Sequence, residues 1–383
     1  MTRYTGQIVT PAGVVNGTLT VDGETIASIE PGPVDAGAPW IVPGFVDMHV
    51  HGGGGHAMTT SSAEAVQGAA AFHLRHGTTT MVASLVSSPF EVMYDATIAY
   101  APLVADGTIA GIHFEGPYLS EACCGAQNPA YLRAPATSEL EALLDAADPG
   151  VIRMMTIAPE LPEALDAIGF LASRGVVAAI GHTDATYQQV IDGLDAGATV
   201  GTHVFNGMRP PHHRRPGPVY ALLGAPDVVC EFVADGVHLA DDTLRFATKV
   251  VGAGRAALIT DAIDATGMPD GGYNLGGQDV VVRDGVARLT TTDGSEGSIA
   301  GSTLTMDSAF RRVLRIGVPI VDAVRMASAN PARALGLADR GRLEPGLRAD
   351  LLLLDIETHE VQTVVRGGAA RQTAQPRPRG PSQ

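Results

Sequence analysis

The chain has 383 residues, 45% hydrophobic and 17% charged, with a formal net charge of −16. That length accommodates a full (β/α)8 barrel and a small accessory domain, while the acidic balance argues against nucleic acid or an anionic membrane as partner. No apolar run reaches membrane-spanning length, MTRYTGQIVT lacks the apolar stretch of a signal peptide, and three cysteines make no disulfide framework, so the expected location is cytoplasmic.

In chain order, QIVTPAGVVNGTLTVDGETIASIEPG reads as short strands broken by Asn-Gly and Asp-Gly turns. A similar segment, RADLLLLDIETHEVQTVVRGG, lies near the C-terminus. Neither is large enough to bury its own core. Together they predict a small β-sandwich assembled from residues 1–42 and 336–370. Residues 371–383, ending QPRPRGPSQ, read as a disordered tail.

Between the two segments, residues 43–335 carry eight strand candidates alternating with helical stretches. They are IVPGFVDMHV, TTTMVASLV, TIAGIHFEG, VIRMMTIAPE, VVAAIGH, ATVGTHVF, DVVCEFVADG and AALITDA. One intervening helix, Glu163 to Gly175, closes with Gly175 as its cap. Eight β/α alternations with polar residues at the strand ends select a TIM-type barrel over an open sheet. A stretch from about Tyr273 to Ser298 reads as an inserted hairpin.

Six potential metal ligands sit at these strand ends: His49, His51, Glu115, His182, His203 and Asp261. Alternation along a strand turns His49 and His51 to one face. A single His-x-His is weak evidence, since a polar strand face gives the same pattern. Four further ligand types ending other strands of one barrel make coincidence a poor explanation. Imidazole with carboxylate suits Zn2+ or Fe2+, whose role would be to acidify water and polarise a carbonyl. Asp261 is placed to serve as the base that takes the water proton and returns it. It could equally be a helix N-cap in ITDAIDATG.

Other signals are less directed. His238, in FVADGVHLA, is either a substrate contact or a solvated loop residue. His56, His73, His76, His113 and His359 have no partner pattern. Arg209, Arg214 and Arg215, beside His212 and His213, form a basic loop next to His203. The prolines there exclude a continuous helix, and the charge suits a phosphate or carboxylate. The vicinal Cys123 and Cys124 are structural or serve a redox or gating role.

Taken in order, PGFVDMHVHG, HFEGPYL, GHTDAT, THVFNGM, RRPG, ADGVHL, ITDAI, AGSTLTMD and GRLEPGLRADLLLLD resemble the N-acetylglucosamine-6-phosphate deacetylases of the amidohydrolase superfamily. The resemblance covers nearly the whole chain. It implies hydrolysis of the acetamide of N-acetyl-D-glucosamine 6-phosphate, in amino-sugar catabolism and cell-wall sugar recycling. By motif, Glu115, His182 and His203 match the metal site common to the family, and His49 and His51 the pair that admits a second divalent metal. Asp261 matches the acid/base. Asn206 and the backbone of Gly207 match phosphate contacts and His238 a sugar-hydroxyl contact, and Ala300, which opens AGSTLTMD, with Ile299 just before it, are expected as further substrate contacts. Arg214 matches an arginine that reaches the phosphate bound by a neighbouring subunit, which implies a homodimer.

Two departures stand out. Gly207 replaces the usual alanine of Asn-Ala-Met, and Gln127 stands where some relatives place a histidine to hold the acetyl carbonyl. A glutamine donates the same hydrogen bond without a charge. Rival readings are the deacetylase for the galactosamine epimer, and a cyclic-amide amidohydrolase. The second usually carries a carboxylated lysine between two metals, and the single lysine here, Lys249, is far from any strand end. A barrel kept only as an interaction module is the non-enzyme alternative.

Overall fold

The computed structural model describes residues 1–292, 295, 297–371 and 373. From the N-terminus, β1 (Thr2–Thr10), β2 (Gly13–Asp22) and β3 (Thr25–Pro31) form an antiparallel meander, and β4 (Trp40–Pro43) pairs parallel to β1. The apolar run IVPGFVDMHV, predicted as one strand, divides at Gly44. A side chain there would collide with Thr79, a Cβ lying 2.1 Å from its Oγ1. β4 therefore stays with the first sheet while β5 (Phe45–Val50) enters the barrel.

The short pair β6 (Gly52–Gly53) and β7 (His56–Ala57) follows, then α1 (Ala63–Arg75), whose N-terminus is capped by Ser62. Next come β8 (Thr78–Val86), α2 (Phe90–Ala105), β9 (Ile112–Glu115), α3 (Thr137–Asp145), β10 (Ile152–Ile157) and α4 (Ala164–Ser173). As expected, α4 ends at Gly175, which takes the left-handed conformation at φ 74°. The alternation continues through β11 (Val177–Ile180), α5 (Tyr187–Asp195), β12 (Val200–Gly201), α6 (Pro218–Gly224), β13 (Val229–Val233), α7 (Asp241–Val251) and β14 (Ala256–Ile259).

Eight of these strands run parallel in the order β5-β8-β9-β10-β11-β12-β13-β14. β5, β8, β9, β13 and β14 are buried at every residue, as strands covered on both faces must be. The seam between first and last strand closes at their carboxyl ends. Asp261 N donates to His49 O (2.9 Å) and His51 N to Ala262 O (2.8 Å).

The inserted segment contains β15 (Gly271–Leu275), β16 (Gln278–Arg283) and β17 (Val286–Leu289), one strand more than the hairpin expected. Leu275, Val280, Val282 and Ala287 pack it onto Val86, Ile263 and Ala300. The eighth barrel helix is α8 (Met306–Arg315).

The C-terminal strands β18 (Leu351–Leu354), β19 (Val361–Arg366) and β20 (Ala369–Arg371) complete a seven-stranded sheet with β1–β4. The sheet folds over, because β3 and the turn before it also bond to the segment entering β18, through Ile26 N to Leu347 O and Ala349 N to Glu24 O. Ile8, Leu19, Ile26, Ile41, Leu351 and Val365 fill it. The expected layer from both chain ends is thus one continuous folded sheet. The predicted tail lies almost wholly outside the described residues.

Candidate active site

All six predicted ligands converge at the carboxyl ends of the barrel strands, where loops can meet a substrate while the strands hold them rigid. His49 belongs to β5 and Glu115 ends β9, whereas His182, His203 and Asp261 lie two residues past β11, β12 and β14. These last three have positive φ angles of 45°, 25° and 52°, a conformation costing a non-glycine residue about 1–3 kcal/mol. Backbone bonds hold them there: Ser120 N to His182 O, Asn206 N to His203 O and Ser302 N to Asp261 O. The turn breaks strand alternation and swings each side chain over the barrel mouth. Asp261 caps no helix, so its alternative reading falls.

Glu115 is the pivot. Its Oε1 lies 2.8 Å from His203 Nε2, 3.0 Å from His182 Nε2 and 3.5 Å from His49 Nε2. Its Oε2 faces His51 Nε2 at 3.2 Å and accepts a 2.6 Å bond from Gln127 Nε2. Asp261 Oδ1 lies 3.3 Å from His51 Nε2. Two buried triads result, Glu115–His182–His203 and His49–His51–Asp261, each with ligand atoms within 4.8 Å of one another.

The donor set fits divalent cations. His49 Nδ1 donates to Glu231 Oε2 (3.1 Å), His51 Nδ1 to Ser84 O (3.1 Å) and His182 Nδ1 to Cys123 O (3.0 Å). Those bonds fix the tautomer and leave each Nε2 lone pair facing the centre. His49 Nε2 and His51 Nε2 are only 3.0 Å apart, and His182 Nε2 and His203 Nε2 3.1 Å, an arrangement that needs positive charge between the lone pairs. The local field agrees. Burial would lower the pKa of His49, but the Glu115 and Glu231 carboxylates raise it well above its ordinary value. Burial would raise that of Glu115, yet His49 and His182 hold it well below.

Beneath the ligands runs a polar belt that the sequence did not reveal. Ser84 Oγ, His113, Thr156 Oγ1 and Thr202 Oγ1 are linked in series at 2.9–3.0 Å. Glu231, fully buried on β13, accepts from both His49 Nδ1 and the His203 backbone N–H (3.1 Å each). Its signal was a lone carboxylate inside the apolar run VVCEFV, which demands a buried partner. Asp235, likewise missed, accepts from His238 Nδ1 at 2.7 Å. That leaves His238 Nε2 3.7 Å from Asp261 Oδ2.

A cavity of about 370 Å3 opens over the triads. Gln127, Asn206, Gly207, His238 and Ile299 line it with five of the six candidate ligands, His49 lying beneath, whereas Ala300 is buried behind the wall. Gly207 adopts φ 60°, and a Cβ on this backbone would lie 2.7 Å from His182 Nδ1, so the alanine usual in the resembling family would need this turn to shift. The basic loop divides. Arg209 is held bidentately by Asp184 (2.8 and 2.9 Å), while Arg214 is exposed and does not line its own chain's cavity. Arg288, on β17, does line it and donates from Nη1 to Gly297 O. Burial, reinforced by Asp184 and Glu160, pushes the Cys123 thiol up to about 11, so it is not a reactive thiolate at neutral pH.

The amidohydrolase family matches residues 40–371. The N-acetylglucosamine-6-phosphate deacetylase of Vibrio furnissii is 36% identical, with 93% of this chain and 88% of that protein covered. The N-acetylgalactosamine-6-phosphate deacetylase of Escherichia coli O157:H7 is 35% identical, with 92% and 94% covered. Among solved structures, an aspartate-to-alanine mutant of N-acetyl-D-glucosamine-6-phosphate deacetylase from Mycobacterium smegmatis, in complex with N-acetyl-D-glucosamine-6-phosphate, superposes with a TM-score of 0.91. It is 44% identical, with 96% of this chain and 98% of that chain covered.

Proposed function

Because the chain belongs to the amidohydrolase family, we propose that it hydrolyses the acetamide of N-acetyl-D-glucosamine 6-phosphate to D-glucosamine 6-phosphate and acetate. The observation that carries this reading is the pair of ligand triads pivoting on Glu115 at the floor of a cavity able to admit a sugar phosphate. We assign two divalent cations per chain, Zn2+ or Fe2+, one to each triad. When bound they would acidify the attacking water and polarise the amide carbonyl.

The chain's own residues supply the rest. Asp261 turns Oδ1 to the ligand cluster and Oδ2 toward His238. Its carboxyl is held at about 2, since the His51 hydrogen bond and the His49 charge outweigh burial, so it is available as a base at neutral pH. It takes the proton of the water and returns it to the leaving nitrogen. Gln127, steadied by Ser87 N donating to its Oε1 (2.7 Å), directs an amide N–H at the developing oxyanion. His238, oriented by Asp235, accepts from a sugar hydroxyl. Asn206 and the Gly207 N–H hold the phosphate, with Ile299 against the sugar. Arg214 reaches the phosphate bound by a second copy of the chain in a homodimer. A sugar phosphate as substrate and three free cysteines suit the cytoplasm.

The test is acetate release from N-acetylglucosamine 6-phosphate and its galactosamine epimer, measured on protein of known metal content. A faster galactosamine reaction would transfer the assignment to the epimer, which the 35% identity to such an enzyme already makes specific. Absence of acetate from both, with metal bound, would overturn it.

A further inference from the structure

Two cavities of nearly equal size meet at the ligand cluster. Behind the wall of the first, about 370 Å3, lies a second of about 360 Å3, whose lining includes Ala57, Ser88, Tyr131 and Asn274. Among the described residues, only His51 and Leu275 line both. His51 is pinned through Ser84 O and its place in the ligand set, so Leu275 is the side chain that divides them.

Leu275 is the last residue of β15, 7% exposed, and packs with Val86 and Ala300. The turn that follows it is clamped to the loop bearing Gln127. Gln278 Nε2 donates to Ala126 O (3.1 Å) and Gln127 O (3.2 Å). The wall is therefore fixed beside the residue proposed to hold the carbonyl. In an N-acetylated hexosamine phosphate the acyl methyl is the one group with no polar atom. Val86, Ala126 and Leu275 offer it an apolar surface next to the ligands, and burying it there follows the usual preference for removing apolar area from water.

We propose that Leu275 is the residue that limits the acyl group to two carbons, with a ready space for longer chains on its other side. This rests on the deacetylase reading above. The chemistry is the same for any acyl length: the C–N bond breaks, the water oxygen joins the acyl carbon, and the proton passes to the nitrogen.

The experiment compares kcat/KM for the N-acetyl and N-butyryl derivatives of glucosamine 6-phosphate. A misfit of one or two methylenes in an apolar pocket changes rates about 10–200-fold per methylene, so the parent should prefer acetyl by about 100-fold or more. Leu275→Ala joins the cavities and should raise the butyryl-to-acetyl ratio about 10–100-fold. Adding Ala57→Phe, which places bulk in the second cavity, should return the ratio toward the parental value. Leu275→Val provides a milder gain of the same sign should the alanine variant not fold. A folded Leu275→Ala whose ratio stays within about threefold of the parent, or a gain that survives Ala57→Phe, would overturn the proposal. Acetate release by the parent tells this failure apart from failure of the reaction itself. A parent inactive on both sugar phosphate epimers sinks both.

Discussion

Glu115 offers one carboxylate oxygen to His182 and His203 and the other to His51, so a single side chain borders both triads. Glu115→Ala is therefore expected to empty both metal positions and abolish turnover, which elemental analysis after dialysis will check. Parental metal content in that variant would remove Glu115 from the ligand set. Glu231→Gln keeps an oxygen near His49 Nδ1 and the His203 N–H but drops the charge. We expect metal affinity to weaken roughly 10–100-fold, read by chelator competition, while the fold survives. Of these two residues, only Glu115 was legible in the sequence, because it ends a strand within HFEGPY. Glu231 sits mid-strand, where a carboxylate announces a buried partner but not which one. Its partners lie 182 and 28 residues away, a pairing that only the closed barrel defines. Arg214 was legible as a positive charge, yet its exposure came from the fold, as did the neutralisation of Arg209 by Asp184.

The barrel strands announced themselves because several apolar runs end in a polar residue that a buried strand cannot otherwise accommodate. The division at Gly44 did not, since both halves are equally apolar and only the approach of Thr79 separates them. The third strand of the insertion was missed although both its turns, Gly276-Gly277 and Asp284-Gly285, carry positive φ values and a sequence signature. On α1, His73 is fully buried with Nε2 donating to Gly52 O (2.8 Å), tying the helix to the loop after His51. Burial, helped by His76, lowers its pKa to about 4, against about 6.5 unfolded. Below pH 6.5 the unfolded chain binds the extra proton, so stability is full above 6.5 and falls as pH drops toward 4. The loss reaches about 3 kcal/mol for a shift of this size. His73→Gln should flatten that slope relative to the parent in urea titrations between pH 7 and 4.5. Parallel slopes would mean that His73 is not held neutral.

At the scale of the molecule, a net charge of −16 repels a dianionic sugar phosphate, so an arginine positioned to meet it matters beyond its single charge. Arg214→Ala is expected to lower kcat/KM for the phosphorylated sugar by on the order of 2–4 kcal/mol, as when one partner of a buried charge pair is truncated. Mixing Arg214→Ala with Asp261→Asn subunits should then restore activity, since one site of each mixed dimer has an intact Asp261 and an intact Arg214 from its neighbour. No recovery in mass-verified mixed dimers would mean that Arg214 does not act across subunits. The seam of the barrel has a separate consequence for biosynthesis. His49 and His51 lie on the first barrel strand and Asp261 follows the last, and the same backbone bonds that close the barrel bring these residues together. A ribosome adding about 5–20 residues per second needs roughly 10–40 s to pass from the first of these histidines to that aspartate. Throughout that interval the nascent chain holds two of the three side chains of that triad. The His49–His51–Asp261 triad reaches its finished geometry only once the last strand has emerged, so closure of the barrel and completion of that triad are timed by one event.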